Sequence, residues 1–350
     1  MSEEKGDKTP FVIVTGFLGA GKTTLVNHIL KEQSSKRICV IENEFGEINI
    51  DEKLVSENLA SKEDLIQMDN GCACCSIRGD LVRTLGNLVA KRKQFDAVLL
   101  ETTGLADPAP IIATIKSNQW IDDSFEIDSV VCLADAKHIK QHLDEVKPDG
   151  AVNEAVQQVA FSDRIILNKT DLVSQEELDA IKAQVMTINH FAVILTSTRS
   201  RVDLDQIIGI HSFDVNKCVE LDPVLFDEAN AEEADRKKPR IHDLSMVSSV
   251  GISVEGDLDV PKFNLFMAEL LQTRAADLYR TKGVLSFAGQ GDTKFVFQGV
   301  HEQINFGPAQ SPWQPNEPRV SKIVFIGRNL DRKFLNESIR ACLVSSDSSS

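Results

Sequence analysis

Three short stretches of the chain carry residues that can do chemistry together. Gly16-Phe17-Leu18-Gly19-Ala20-Gly21-Lys22-Thr23-Thr24 fits GxxxxGK[ST]. Its glycines let backbone N–H groups curl around phosphate oxygens, and the helix start behind them adds partial positive charge. Lys22 is expected to reach the β- and γ-phosphates and the Thr23 hydroxyl to hold Mg²⁺. Composition predicts roughly 0.01 chance matches in a chain this long, so the stretch reads as a nucleotide site, not a structural turn. Val98-Leu99-Leu100-Glu101 ends an apolar run with a carboxylate, which would hold the same Mg²⁺ directly or through water. Gly104, after Thr102-Thr103, would let the chain approach the γ-phosphate closely.

The second stretch is Asn168-Lys169-Thr170-Asp171, directly after Arg164-Ile165-Ile166-Leu167. NKxD alone is a weak pattern; at the end of a late strand in a phosphate-loop domain it is strong. Asp171 can accept hydrogen bonds from the ring N–H and the exocyclic amine of guanine. Adenine would leave that carboxylate unpaired, a discrimination on the order of 10⁴-fold. The competing reading is a turn that caps the next helix.

The third stretch is Cys72-Ala73-Cys74-Cys75. A CxCC of this kind should arise by chance roughly 0.003 times per chain. Thiolates are soft donors that select Zn²⁺ or Cu(I) over Mg²⁺. A closed structural zinc site needs four ligands and the motif supplies three at most. The expectation is an open, exchangeable site completed by Glu42, Glu47 or a partner's ligand. A redox pair and buried thiols are the competing readings. Cys39, Cys132, Cys218 and Cys342 sit in or beside apolar runs and read as core. His28, His138, His142 and His190 read as helical surface or core, with His211, His242 and His301 as candidate extra ligands.

These stretches need a scaffold. Short apolar runs at residues 11–14, 38–41, 97–100, 130–133, 165–167 and 192–195 alternate with amphipathic stretches such as 22–32 and 175–188. Runs this continuous fit strands buried on both faces, and strand–helix alternation fits a parallel sheet flanked by helices. Ser174-Gln175-Glu176-Glu177 reads as a capping box. The fold class expected is α/β, a phosphate-loop NTPase sheet over residues 9–212, then an acidic linker over 213–239. A smaller α+β domain over 240–344 and a tail at 345–350 complete the chain. In that second domain a strand is expected over 245–254. A helix should follow from Asp259-Val260-Pro261, with Phe263, Phe266, Met267, Leu270, Leu271 and Leu278 on one stripe and its end at Lys282-Gly283. Strands follow at 284–287, 294–300 and 322–326, and a helix at 334–342.

The chain has 350 residues and a net charge of −15. That balance disfavours phosphate backbones and anionic membranes, and no stretch approaches the roughly 18 apolar residues of a span. Clustered cysteines in a long chain without an apolar leader point to a reducing compartment, the cytoplasm with access to the nucleus.

Read in order, GFLGAGKTT, IENEFGE, GCACCS, ETTGLADP and NKTD resemble the CobW-type metal-handling GTPases, in particular the zinc-regulated GTPase metalloprotein activators. Gly283, Gln298-Gly299-Val300-His301 and Phe325-Ile326-Gly327 are similar to the family's C-terminal domain. The resemblance implies slow GTP hydrolysis coupled to binding a divalent metal, most often zinc, and delivering it to a client metalloprotein. Cys72, Cys74 and Cys75 match the family's metal motif. A zinc buffer or sensor with a GTPase timer, and a cobalt-handling protein for cobalamin synthesis, stay open as alternatives, as does a homo-oligomer. Residues 1–10 hold no Cys-Pro segment of the kind that docks an aminopeptidase client, so that client is not expected, and there is no His-rich tract. No Gln or His stands at an evident place to orient the attacking water.

Overall fold

The computed structural model describes residues 8–31, 36–42, 65–67, 76–147, 153–212, 247–309 and 311–344. The chain divides into two compact units, one of residues 1–147, 153–185 and 192–213, the other of the remainder. The expected linker at 213–239 and tail at 345–350 lie outside the described residues.

The first unit is built on seven strands: β1 Thr9–Gly16, β2 Ile38–Glu42, β3 Leu65–Gln67, β4 Ala97–Glu101, β5 Phe125–Asp135, β6 Arg164–Asn168 and β7 Val193–Thr196. Their order is β3-β2-β4-β1-β5-β6-β7, with every pairing parallel. Helices α1 Lys22–Lys31, α2 Ser76–Val89, α3 Ala109–Ser117, α4 Gln119–Asp122, α5 Ile139–Leu143, α6 Glu154–Phe161 and α7 Gln175–Ile188 connect them. The central strands are buried along almost their whole length, because helices that cover both faces leave no side for polar residues. Leu25, Val26 and Ile29 of α1 pack with Val12, Val14, Val40 and Leu99 into one core. Ser174 and Glu177 form the capping box of α7: each side chain accepts from the other's backbone N–H, at 3.2 and 2.8 Å. The edge strand β7 departs from the expected double burial: none of its four residues is fully buried, and Val193 is exposed. The short strand β3 carries no sequence signal strong enough to mark it.

This topology gathers chemistry at one edge. β1 lies between β4 and β5, where the strand order turns back on itself, and ligands of open parallel sheets sit at the carboxyl ends of strands at such a point. Gly16, Glu42, Glu101, Asp135 and Asn168 are all last residues of their strands.

The second unit is an antiparallel sheet in the order β11-β10-β9-β12-β8, from β8 Val247–Glu255, β9 Leu278–Leu285, β10 Phe295–Val300, β11 Gln303–Pro308 and β12 Val320–Arg328. Helices α8 Val260–Arg274 and α9 Arg332–Ala341 pack apolar residues against it. Asp259 caps α8 by accepting from Lys262 N at 2.9 Å. That helix ends earlier than its apolar stripe predicts. α8 stops at Arg274, a 3₁₀ turn spans Ala275–Asp277, and Leu278 belongs to β9, not to the helical stripe. Gly283 therefore caps nothing; it lies under the Phe297 ring, where a Cβ would stand 2.2 Å from the nearest ring carbon. The unforeseen β11 pairs back onto β10 across His301, whose φ of 49° makes the turn.

Candidate functional site

The phosphate loop joins β1 to α1 with no spare length. Gly21 has φ 106°, and a Cβ there would fall 2.5 Å from Asn168 Nδ2, so both backbone and space require glycine. Lys22 is buried and its Nζ donates to Gly16 O at 2.9 Å and Phe17 O at 3.3 Å. The ammonium thus sits inside the curve of the loop, where phosphate oxygens can exchange for those carbonyls. Leu18 and Gly19 are exposed at the rim.

Thr23 Oγ1 donates to Glu101 Oε1 at 3.1 Å, the contact that joins the phosphate loop to the carboxylate of β4. Two oxygens, one hydroxyl and one carboxylate, fit a hard cation such as Mg²⁺. Glu101 stands opposite Val14 of β1 and opposite Glu42 of β2. Adjacent strands are about 4.8 Å apart, so two buried carboxylates occupy neighbouring strand ends. Of the ligands expected for the cysteine site, Glu42 is among the described residues. Cys72, Cys74, Cys75 and Glu47 lie outside them, and among the described residues no three His, Cys, Asp or Glu side chains could hold a metal ion.

The NKxD stretch closes the other end. Asn168 is buried and tied four ways: Nδ2 donates to Ala20 O and Ser200 Oγ, and Oδ1 accepts from Ser200 N and Ser197 Oγ, all at 2.9–3.0 Å. This residue therefore ties the NKxD stretch to the glycine-rich loop after β1. Lys169 has φ 61° and its Nζ donates to Asp135 Oδ2 at 2.8 Å. Burial pushes the Asp135 carboxyl up, but hydrogen bonds from Lys169, His138 and the Lys137 backbone outweigh it and hold the group below the usual carboxylate range. Asp171 is exposed on the short turn after Lys169, open to a ligand.

Several participants do not stand out in the sequence. Asp135 ends an apolar run just as Glu101 does, and that signal could have found it. Ser197 and Ser200 follow the last strand, and no local pattern marks them. Two candidate histidines are engaged elsewhere: His301 Nδ1 faces Ala275 O at 3.0 Å, and His211 lies beside Glu126 and Asp128. His142, read as helical surface or core, stacks on Phe17 with centroids 3.8 Å apart. His242 is outside the described residues. Cys39, Cys132 and Cys342 are buried core thiols as expected, and burial pushes Cys132 up to about 12; Cys218 lies outside the described residues.

Residues 10–196 match the family model for the CobW/HypB/UreG nucleotide-binding domain. The chain belongs to the CobW/HypB/UreG family. Residues 247–343 match the C-terminal domain of the cobalamin synthesis protein CobW, so both units have family counterparts. Among relatives, the zinc chaperone YjiA of Escherichia coli is 33% identical over 94% of this chain and 96% of its own length. The zinc-regulated GTPase metalloprotein activator 1 of Schizosaccharomyces pombe is 27% identical over 93% of this chain and 84% of its own. The zinc-bound crystal structure of the E. coli YjiA GTPase superposes with a TM-score of 0.72 at 28% identity, covering 97% of this chain and all of that one. A zinc-bound YjiA variant with one glutamate and two cysteines replaced by alanine superposes with a TM-score of 0.73. Family membership makes residues 10–196, which carry the glycine-rich loop and the NKxD stretch, a nucleotide-binding domain.

Proposed function

We propose that this chain is a GTP-hydrolysing metallochaperone that binds zinc and transfers it to a client metalloprotein. The observation that carries the reading is the Thr23–Glu101 hydrogen bond, with Glu42 on the next strand end. Gly16 to Thr24 would cradle the phosphates, Lys22 would turn from the loop carbonyls to the β- and γ-phosphates, and Asn168, Lys169 and Asp171 would hold guanine. Thr23 and Glu101 would hold Mg²⁺, which when bound neutralises charge on the phosphates. Loss of the γ-phosphate would relax the segments that sense it.

Zinc is the cargo in this reading. Cys72, Cys74 and Cys75 supply soft thiolates, and Glu42 or Glu47 completes the shell. Glu42 is the mechanical link, because it is one strand away from the carboxylate that shares the nucleotide's metal. Cargo and nucleotide affinities must then change each other by the same factor, typically on the order of 5–150-fold. The names of the zinc chaperone and activator relatives support this direction. No helix among the described residues is long and apolar enough to cross a membrane, and thiolate chemistry suits the reducing cytoplasm.

The test measures Zn²⁺ affinity with a non-hydrolysable GTP analogue and with GDP. The expected result is tighter binding in one state. Equal and tight retention in both would replace the chaperone with a buffer, and preference for cobalt in a metal competition series would replace the cargo.

A further inference from the structure

We propose that Gln158 is the positioning residue that fixes the loop after Glu101 against the phosphate loop, a role that rests on the GTP-hydrolysis reading above. Gln158 lies on α6, outside every motif of the sequence, and only 1% of it is exposed. Its Nε2 donates to both Gly104 O and Ala106 O, each at 3.2 Å. Two carbonyl acceptors decide which end of the amide faces them, because the oxygen end would meet only other acceptors. Leu105, between the two clamped carbonyls, is left exposed.

What the clamp controls is a close approach. A Cβ on Gly104 would stand 2.8 Å from Leu18 N and 2.9 Å from Leu18 Cα, so the backbones of the two loops are in contact there. The same helix is held at its other end. Asn153 caps α6 by accepting from Val156 N at 3.2 Å, and its Nδ2 donates to His142 O at 2.6 Å and Glu145 O at 3.0 Å. His142 in turn stacks on Phe17. Two successive phosphate-loop residues, Phe17 and Leu18, are therefore each connected to α6, one through its cap and the other through Gln158. The helix acts as a spacer that sets the gap where a γ-phosphate would enter. Removing the donor leaves two carbonyls to seek water, which draws the loop outward.

The test uses the full chain with two substitutions. Gln158→Met keeps the volume without a donor, and Gln158→Glu keeps the shape but turns the donor into an acceptor. Steady-state GTP hydrolysis with Mg²⁺ is read beside GDP affinity, measured with a fluorescent GDP derivative. Both variants should lose about 10–100-fold in kcat, while KM for GTP and Kd for GDP stay within about twofold. Unchanged kcat in a variant that still binds GDP overturns the role. So does a parallel loss of kcat and GDP affinity, which would make Gln158 a packing residue. Absence of GTP hydrolysis in the unsubstituted protein instead defeats the functional reading itself, and the inference with it.

Discussion

The two units bury opposite kinds of side chain. The parallel unit places Lys22, Glu42, Glu101, Asp135 and Asn168 under cover at one sheet edge. The antiparallel unit fills the space between sheet and helices with Phe263, Phe287, Phe297 and Phe325, and the ring of Phe263 meets those of Phe287 and Phe297 edge-on. Polar groups in the first unit survive burial because partners sit at strand ends, where loops supply free backbone donors and acceptors. The second unit has its apolar core in strand and helix middles, where the ladders already satisfy the backbone. Substitutions should therefore cost stability in one unit and chemistry in the other.

The sharpest break of that contrast is Phe297→Ala. Phe297 packs on Phe263 and covers Gly283, so its loss should destabilise the second unit by about 3–5 kcal/mol in denaturant unfolding. Nucleotide affinity should stay unchanged; a parallel fall would dissolve the contrast. Next, Lys22→Ala should reduce GTP turnover by about 10²–10³-fold at a smaller cost in melting temperature than Phe297→Ala, since it removes hydrogen bonds to loop carbonyls and no ring packing. Within the first unit, Asp171→Asn should shrink the preference for GTP over ATP by on the order of 100-fold, read from competition binding. Equal affinity of the unsubstituted protein for both nucleotides would remove guanine from the account. The smallest effect is acid sensitivity near Asp135. Its carboxyl lies below the usual range, so the stabilisation is present above the unfolded-state value and lost as pH falls through the folded one. Acid melting should flatten in Asp135→Asn below the ordinary carboxylate range; an unaltered profile would place the acid transition elsewhere.

Most of this architecture was legible in the chain. Six apolar runs became six of the seven parallel strands; five are covered on both faces and so must be apolar throughout, while β7 at the edge is the exception. The helix over 175–188 has the bounds its capping box and periodicity predict. The second unit was less legible. Continuing a helical stripe from Phe263 to Leu278 overran the true end at Arg274, since Leu278 suits either period and pairing of β9 with β10 and β12 overrides the local pattern. In the site, Gly16 to Thr24, Glu101 and Asn168 to Asp171 could be named from spacing. Asp135 ends an apolar run as Glu101 does and could have been named by the same signal, whereas Ser197, Ser200 and Gln158 carry no local pattern and act on partners tens of residues away.

Sequence by itself determined which residue types stand at short spacing: the glycines and Lys22 of a GxxxxGK[ST] stretch, a carboxylate at a strand end, an NKxD stretch and a CxCC cluster. Local chain geometry preserves such spacings. Tertiary structure alone decided that Glu42 stands beside Glu101, that Asn168 ties the NKxD stretch to Ala20, and that Gln158 donates to Gly104 and Ala106. Such neighbours depend on strand order and register, and these are set by the packing of the whole sheet.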